Sequence, residues 1–249
     1  MDKRMSYMLL AFTLAISMLL VLYAPRQLSV NQGFSVTAAS GSSDDIQNAV
    51  DQVIASGGGV VYIPAGVFNF TIPPDKIGWN NYPTGVKVHT SVPIQIIGAG
   101  SDKTVLKVVE YPTGAGKYSM FAIDSGFNVS VRVSGIKFVG KPDNETANAV
   151  GIAIRDVKDF RIDNCVFEDF DSAGISTRKQ RANAVHRGVI DHNVFDNPYK
   201  EDMSNPVWGY GIIVVAYYGI YDTIWKPIDE YLGKYEDNVV YIEDSAGRF

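Results

Sequence analysis

The feature that most constrains the fold of this chain is a six-residue segment that occurs three times at almost constant spacing. The copies VSGIKF, IDNCVF and IDHNVF begin at Val133, Ile162 and Ile190, so they are 29 and 28 residues apart. Each has apolar residues at its first and sixth positions and a short polar pair at its second and third. This pattern predicts two short strands joined by a tight turn, and its recurrence predicts a solenoid of stacked coils.

A second repeated element lies between these copies. The segments GIAI, GIST and GIIV begin at Gly151, Gly174 and Gly211 and predict short strands opened by glycine. Two strand sets in constant order describe coils whose strands pair in parallel about 4.8 Å apart around a buried interior. Residues 92–108 predict an earlier coil, and a weaker fourth copy of the first element is predicted to start at Ile242.

The region before the coils, from Asp44 to Phe68, reads DDIQNAVDQVIASGGGVVYIPAGVF. Apolar residues at helical spacing predict a helix over 44–55, which begins after two serines that can cap its free N–H groups. Three consecutive glycines end the helix, and the apolar run 60–63 predicts a strand closed by a Pro-Ala-Gly turn.

This segment resembles the N-terminal signature of the pectate lyase-like right-handed β-helix proteins, which combines an acid pair, an Ile-Gln helix, a glycine run and a strand ending in Pro-Ala-Gly and an aromatic residue. The resemblance implies an all-β fold, a right-handed single-stranded parallel β-helix over 42–249, with the helix capping its front end. The family includes lyases, hydrolases, epimerases, tailspikes and non-enzymatic surface proteins, so the fold alone does not define the activity.

The N-terminus predicts export. Residues 1–24 combine a basic flank with an apolar run and fit either a cleaved signal peptide or an uncleaved anchor that holds the membrane through residues 7–24. Residues 25–41 are polar and predict a tether. In both cases the positive-inside rule places the remaining chain outside the cell or on its surface. Sequons at Asn69, Asn128 and Asn144 are compatible with glycosylation of an exported protein.

Composition excludes some classes of protein. The net charge of -5 gives no basic footprint for nucleic acid, and the single cysteine, Cys165, excludes an internal disulfide framework. The sequence ends inside what reads as a coil. A truncated product, an end covered by another chain and frayed last coils all fit this ending, and the oligomeric state stays open.

The repeat alignment stacks Asp163 on Asp191, with Glu243 next if the fourth copy is real. Neighbouring carboxylates serve as acid and base in glycoside hydrolysis, and they also bind Ca²⁺. The alternative is that these acids bond the N–H groups of their own turns. A second acidic group includes Glu168, Asp169 and Asp171, with Asp196 equivalent to Glu168; it predicts either a cation or substrate site or solvated turn carboxylates.

A basic loop follows the second element of one coil and contains Arg178, Lys179, Arg181, His186 and Arg187. The resemblance implies that a lyase of this family removes a proton beside a uronate carboxylate with an arginine or lysine base, aided by Ca²⁺. Arg178, Lys179 and Arg187 are therefore candidates for the base or for binding the substrate carboxylate. The alternative is a solvated basic loop.

Two insertions, at about 198–209 and 217–237, lengthen one coil and are rich in aromatic residues. Aromatic faces stack on sugar rings, so the insertions predict a glycan-binding surface; the alternative is that they pack on the solenoid flank. The candidate residues are Trp208, Tyr210, Tyr217, Tyr218, Tyr221 and Trp225.

The predicted function is therefore action on, or binding to, an extracellular polysaccharide, with uronate lyase chemistry as the first enzymatic hypothesis. One alternative is a non-catalytic adhesin or envelope protein that uses the solenoid as a stalk. Another is a hydrolase of the polygalacturonase type. The Asn-Thr-Asp, Asp-Asp and Gly-His-Gly motifs that the resemblance would require for hydrolysis are not found in the coils, which weakens that alternative.

Overall fold

The computed structural model describes residues 33–112, 117–125, 129–140, 148–181, 185–196, 210–215, 221–222, 234–235 and 239–242. Within these ranges the chain is mostly β, with three sheets and one α-helix, an architecture compatible with the predicted parallel β-helix. The apolar segment 1–24 lies outside them. No helix in the described ranges is long and apolar enough to cross a membrane.

The strands divide among three sheets. Sheet I contains β1 (Ser35–Thr37), β2 (Gly59–Ile63), β5 (Ile94–Gly98), β8 (Ser130–Ser134), β11 (Asp159–Asp163), β14 (Gly188–Asp191) and β19 (Val239–Ile242). Sheet II contains β3 (Gly66–Thr71), β6 (Thr104–Glu110), β9 (Lys137–Val139), β12 (Val166–Glu168), β15 (Val194–Asp196) and β18 (Lys234–Tyr235). Sheet III contains β4 (Thr84–His89), β7 (Lys117–Asp124), β10 (Asn148–Arg155), β13 (Ala173–Arg178), β16 (Tyr210–Val215) and β17 (Tyr221–Asp222).

From β2 to β16 the chain visits sheets I, II and III five times in the same order, and strands of successive coils pair in parallel. The register confirms the predicted repeat. Ile162 pairs with Val133 on one side and Ile190 on the other, and Phe167 pairs with Phe138 and Phe195. The glycine-led segments also align, because Ile175 pairs with both Ile152 and Ile212.

Aromatic rings stack along the interior of the coils. The ring centroids of Phe138 and Phe167 are 5.2 Å apart with an interplanar angle of 5°, and those of Phe167 and Phe195 are 5.2 Å apart at 11°. All three side chains are buried. Each therefore contributes about 1.5–3 kcal/mol by burial alone, which explains why an apolar residue recurs at this position.

The predicted tight turn occurs in three successive coils. Gly135, Asn164 and His192 occupy equivalent positions and have φ angles of 69°, 54° and 54°. This left-handed conformation suits glycine and is tolerated by asparagine and histidine. Asn193 holds adjacent turns together, because its amide accepts from the Cys165 N–H (2.9 Å) and donates to the Ile162 carbonyl (2.8 Å).

The helix predicted at the front of the solenoid is α1 (Ser43–Ala55). The Ser42 hydroxyl caps it by accepting from the Asp45 N–H at 3.2 Å. Its apolar face, formed by Ile46, Ala49, Val50 and Val53, is buried against the first coil, where α1 contacts β1, β2 and β4. The helix thereby covers the front end of the core, as predicted.

The last glycine of the run after α1 is required by close packing. Gly59 has a φ of 144°, and a Cβ at this position would lie 2.1 Å from the Phe34 carbonyl oxygen. Phe34 directly precedes β1, which pairs in parallel with β2. The sequence predicted a tether over residues 25–41, whereas Ser35–Thr37 within this range form a strand.

The front edge of sheet III is β4, and a side chain of α1 pairs with it. The Gln47 amide donates to the Lys87 carbonyl (2.9 Å) and its oxygen accepts from the Lys87 N–H (2.8 Å). Both backbone groups of Lys87 that face away from β7 are therefore satisfied by one side chain.

After β16 the chain reverses direction, and this corrects one prediction. β17, β18 and β19 pair antiparallel with β16, β15 and β14, so the sheets are visited in the order III, II, I. The predicted fourth copy at Ile242 is wrong, because Ile242 pairs with Gly188 and Val239 pairs with Asp191. A strand that runs backwards cannot continue the parallel repeat, and Glu243 lies outside the described residues.

Candidate functional site

The outer face of sheet I carries the acids predicted from the repeat. Asp163 and Asp191 are register partners, as predicted, and both are buried. Arginines from the preceding coils bind them. Arg132 donates from Nε and Nη2 to the two oxygens of Asp163 (2.8 and 2.7 Å), and Arg161 does the same to Asp191 (3.0 and 2.6 Å). We call these four residues the arginine–aspartate ladder.

The ladder is hydrogen-bonded throughout. Asp163 also accepts from the Ser134 hydroxyl (3.1 Å) and the Asn164 amide (2.6 Å), and Asp191 contacts the His192 ring at 2.9 Å. Desolvation alone would raise the pKa of Asp163, but the hydrogen bonds and charge of Arg132 outweigh it and lower the pKa. Asp163 is therefore ionised at neutral pH, which suits a structural anion and does not suit a general acid.

The residues of the predicted basic loop are dispersed. Arg187 donates to Asp159 at 2.8 Å, and the buried His186 ring accepts from the Val157 N–H (3.2 Å) and stacks on Phe160. Lys179 is buried, and Arg178 ends β13. The Arg181 side chain extends toward Asp124 and Asp156 at the end of sheet III. The assignment of Arg178, Lys179 or Arg187 as a base stays a prediction.

The second predicted acidic group lies at the end of sheet II. Glu168 and Asp196 are register partners, and Lys137 pairs with Glu168 at 2.5 Å. Burial, with the charges of Glu168 and Asp196, raises the pKa of Asp169. Asp171 belongs elsewhere, since it accepts from the Ala149 N–H at 2.6 Å. In the described part of the chain, no group of three or more His, Cys, Asp or Glu side chains could hold a metal ion, and calcium stays a prediction.

A further cluster of charged residues, which the sequence analysis missed, lies where the strands of sheet III end. His89, Asp124 and Arg155 are register partners at the last positions of β4, β7 and β10. Asp156 follows Arg155 directly, and Arg181 reaches the cluster from the loop after β13. We call these five residues the corner cluster. Its members lie in four coils, which is why no local motif revealed it.

Asp124 joins three coils. Its Oδ1 lies 3.1 Å from His89 Nδ1, and its Oδ2 accepts from Arg155 Nη2 at 2.9 Å. Arg181 Nη2 lies 3.9 Å from the same oxygen, beyond hydrogen-bond distance. The Asp124 side chain is 6% exposed, whereas those of Arg181 and His89 are 46% and 59% exposed. The cluster therefore presents the exposed side chains of Arg181 and His89 above the buried carboxylate of Asp124.

Asp156 uses only one of its two oxygens for hydrogen bonds. It has a left-handed φ of 52°, and its Oδ1 accepts from the backbone N–H groups of Gln180 (2.8 Å) and Arg181 (3.3 Å). Its Oδ2 is buried and has no hydrogen-bond partner, and neither has the buried Arg155 Nε. These two atoms are 4.0 Å apart, and Arg181 Nε is 3.7 Å from Asp156 Oδ2.

Trp79 covers the cluster from the loop between β3 and β4. The Arg155 guanidinium lies 4.8 Å from the Trp79 ring centroid, and the indole N–H donates to the Ala153 carbonyl at 3.2 Å. Arg155 also donates to the Gln180 side chain at 2.6 Å. A groove of about 390 Å³ adjoins the cluster through His89; its other lining residues are Gln47, Asp51, Ile54, Ala55, Lys76 and Lys87.

Several predicted residues lie outside the described ranges. They include Trp208, Tyr217, Tyr218 and Trp225 of the aromatic insertions and the sequon residues Asn128 and Asn144. The backbones of Tyr210 and Tyr221 belong to β16 and β17. Asn69 lies in β3 with its side chain exposed, so the first sequon is accessible.

Comparison of the chain with family models, curated proteins and solved structures found no significant match.

Proposed function

We propose that the chain is a pectate lyase-like β-helix protein that binds an extracellular acidic polysaccharide at the corner cluster. The observation that carries the proposal is the combination of an indole ring, an arginine stacked on it and two buried carboxylates at one accessible corner. Sugar sites combine an aromatic face with a few convergent polar groups in this way.

The charges around the corner suit a uronate chain. Arg181 and His89 are exposed, Arg178 is the register partner of Arg155, and Lys87 lines the adjoining groove. The arginine and lysine side chains at these positions attract a carboxylate, while the buried Asp124 keeps the Arg155 guanidinium in place.

Uronate lyase activity is the enzymatic form of this proposal. In such a β-elimination a base removes the proton beside the carboxylate, a double bond forms as the bond to the leaving sugar oxygen breaks, and that oxygen takes up a proton from solvent. Arg178 or the exposed Arg181 would supply the base. Arginines bind both oxygens of Asp163 and of Asp191. We therefore assign this chemistry to the corner cluster and not to the ladder.

The test uses the full chain against a panel of uronate and neutral polysaccharides, with and without Ca²⁺. Binding is followed by calorimetry, and cleavage by ultraviolet absorbance of the unsaturated product. We expect binding of at least one uronate polymer that weakens about 10-fold or more in Trp79→Ala, since aromatic stacking on sugars is a leading contribution at such sites. No binding across the panel would refute the proposal.

The matched controls are Trp208→Ala and Trp225→Ala, which alter the tryptophans of the insertions. Loss of binding in these variants with no change in Trp79→Ala would place the glycan on the insertions instead of the corner.

A non-catalytic surface protein is the second candidate. The ladder favours it, because its acids are held by bidentate arginine contacts that stiffen the outer face of sheet I. Polysaccharide binding without any unsaturated product or new reducing ends would support this candidate over the lyase.

A further inference from the structure

The corner cluster contains a hydrogen-bond donor and a hydrogen-bond acceptor that face each other but lie too far apart to bond directly. Arg155 Nε is a donor and Asp156 Oδ2 is an acceptor; both are buried and have no hydrogen-bond partner. They are 4.0 Å apart, which is too far for a direct hydrogen bond. Buried polar atoms in folded proteins nearly always have a partner, and leaving both unpaired is costly.

We propose that this gap is a hydroxyl-binding position, occupied by water in the free protein and by a sugar hydroxyl when the proposed glycan binds. The 4.0 Å separation permits one oxygen to lie about 2.9 Å from each atom, because two such hydrogen bonds span more than this distance. This oxygen must accept from Arg155 and donate to Asp156. Water and hydroxyl groups do both, whereas a carboxylate or a simple anion cannot donate.

The surrounding contacts keep the Arg155 and Asp156 side chains apart. Asp156 is kept in its left-handed conformation by the two backbone N–H groups that bind Oδ1, so Oδ2 cannot rotate toward them. The Arg155 guanidinium is fixed by Asp124, Gln180 and the Trp79 ring. These contacts keep the two side chains at their observed separation, at which a third group could complete the pair.

Arg181 provides the route by which a ligand reaches the position. Its side chain is 46% exposed and lies 3.7 Å from Asp156 and 3.9 Å from Asp124, so both contacts are ion pairs longer than a hydrogen bond. Such contacts contribute little when exposed to solvent. Displacement of the Arg181 side chain would uncover Asp156 Oδ2 beside Trp79, where a sugar ring would stack.

The sugar half of this inference rests on the proposed function, and the test separates the two. A high-resolution crystal structure of the full chain is determined without sugar and after soaking with trigalacturonate. We expect an ordered oxygen within hydrogen-bond distance of both Arg155 Nε and Asp156 Oδ2 in the first crystal, and a sugar hydroxyl in its place in the second. A direct Arg155–Asp156 contact, or an empty gap, would overturn the inference.

Retention of the water after soaking, with trigalacturonate bound elsewhere, would refute the sugar hydroxyl and leave the proposed function intact. A water in the gap together with no trigalacturonate anywhere would refute the sugar hydroxyl and count against the proposed function.

Calorimetry with Asp156→Asn supplies an independent measurement. The asparagine oxygen can still accept from the N–H groups of Gln180 and Arg181, but an NH₂ group then replaces the acceptor Oδ2. We expect affinity for trigalacturonate to fall about 10-fold or more, the effect of losing a hydrogen bond to a charged group. The matched control is Asp159→Asn, which changes an ion pair with Arg187 outside the cluster and should leave affinity unchanged. Equal affinity in Asp156→Asn and wild type would contradict the sugar assignment.

Discussion

The ladder on sheet I and the corner cluster at the end of sheet III both contain arginine–aspartate pairs, but the pairs differ in how completely they are hydrogen-bonded. In the ladder each aspartate accepts from both Nε and Nη2 of one arginine. In the corner cluster Arg155 and Asp156 leave one atom each without a partner. Completed pairs hold adjacent coils in register, whereas an incomplete pair leaves hydrogen-bonding capacity that a ligand can use.

The largest expected difference between the two regions is in stability. Arg132→Ala removes the two hydrogen bonds that Arg132 donates to Asp163, whose side chain is 0% exposed. A buried carboxylate that loses its paired cation should lower the free energy of unfolding by about 3 kcal/mol. Arg181→Ala removes only long, half-exposed contacts and should change it by less than about 0.5 kcal/mol. Denaturant unfolding measures both, and similar losses would remove the distinction between ladder and cluster.

The next effect is the acid sensitivity of the ladder. The pKa of Asp163 is lower in the folded than in the unfolded chain, so its stabilising effect is complete above the unfolded value of about 4 and is lost as the pH falls through the folded value. The difference in unfolding free energy between wild type and Asp163→Asn should therefore shrink below about pH 4. A difference that stays constant from pH 7 to pH 3 would show that the charge of Asp163 contributes nothing.

The smallest effect concerns the acidic group on sheet II, where charges of one sign meet. The pKa of Asp169 is raised, so its contribution to stability is greatest below the unfolded value of about 4 and declines as the pH rises through the folded value. Asp169→Asn tolerates the left-handed φ of 63° and should stabilise the protein at pH 7 by less than about 0.5 kcal/mol. Thermal unfolding at pH 7 and pH 3.5 tests this, and destabilisation at pH 7 would contradict it.

The sequence predicted the features that recur at the same position in successive coils. Phe138, Phe167 and Phe195 stack because each fills the same interior position, and the equivalence of Asp163 and Asp191 followed from the same alignment. The arginine partners were missed although Arg132 and Arg161 also repeat. Arg161 lies two residues before Asp163, and Arg132 lies two residues before the equivalent Ser134. Residues two apart in a strand share a face, which was the available signal.

The parts that do not repeat could not be predicted in this way. The corner cluster joins His89, Asp124 and Arg155, which are distant in sequence and meet only because strands of sheet III end at one corner. The reversed strands after β16 were missed for a related reason. The apolar run ending at Ile242 has the composition of a coil strand, and composition does not encode the direction in which a strand runs.

Gln47 has a consequence for how such a molecule is limited in length. A stack of coils is open to growth at its ends, because the outermost strand is a template for another strand from the same molecule or from a different one. The side-chain amide of Gln47 on α1 bonds the N–H and carbonyl of Lys87 and offers no backbone edge to which a further strand could pair. At this edge, a single side chain makes the two hydrogen bonds that one residue of a neighbouring strand would make, and so blocks the addition of another strand at Lys87.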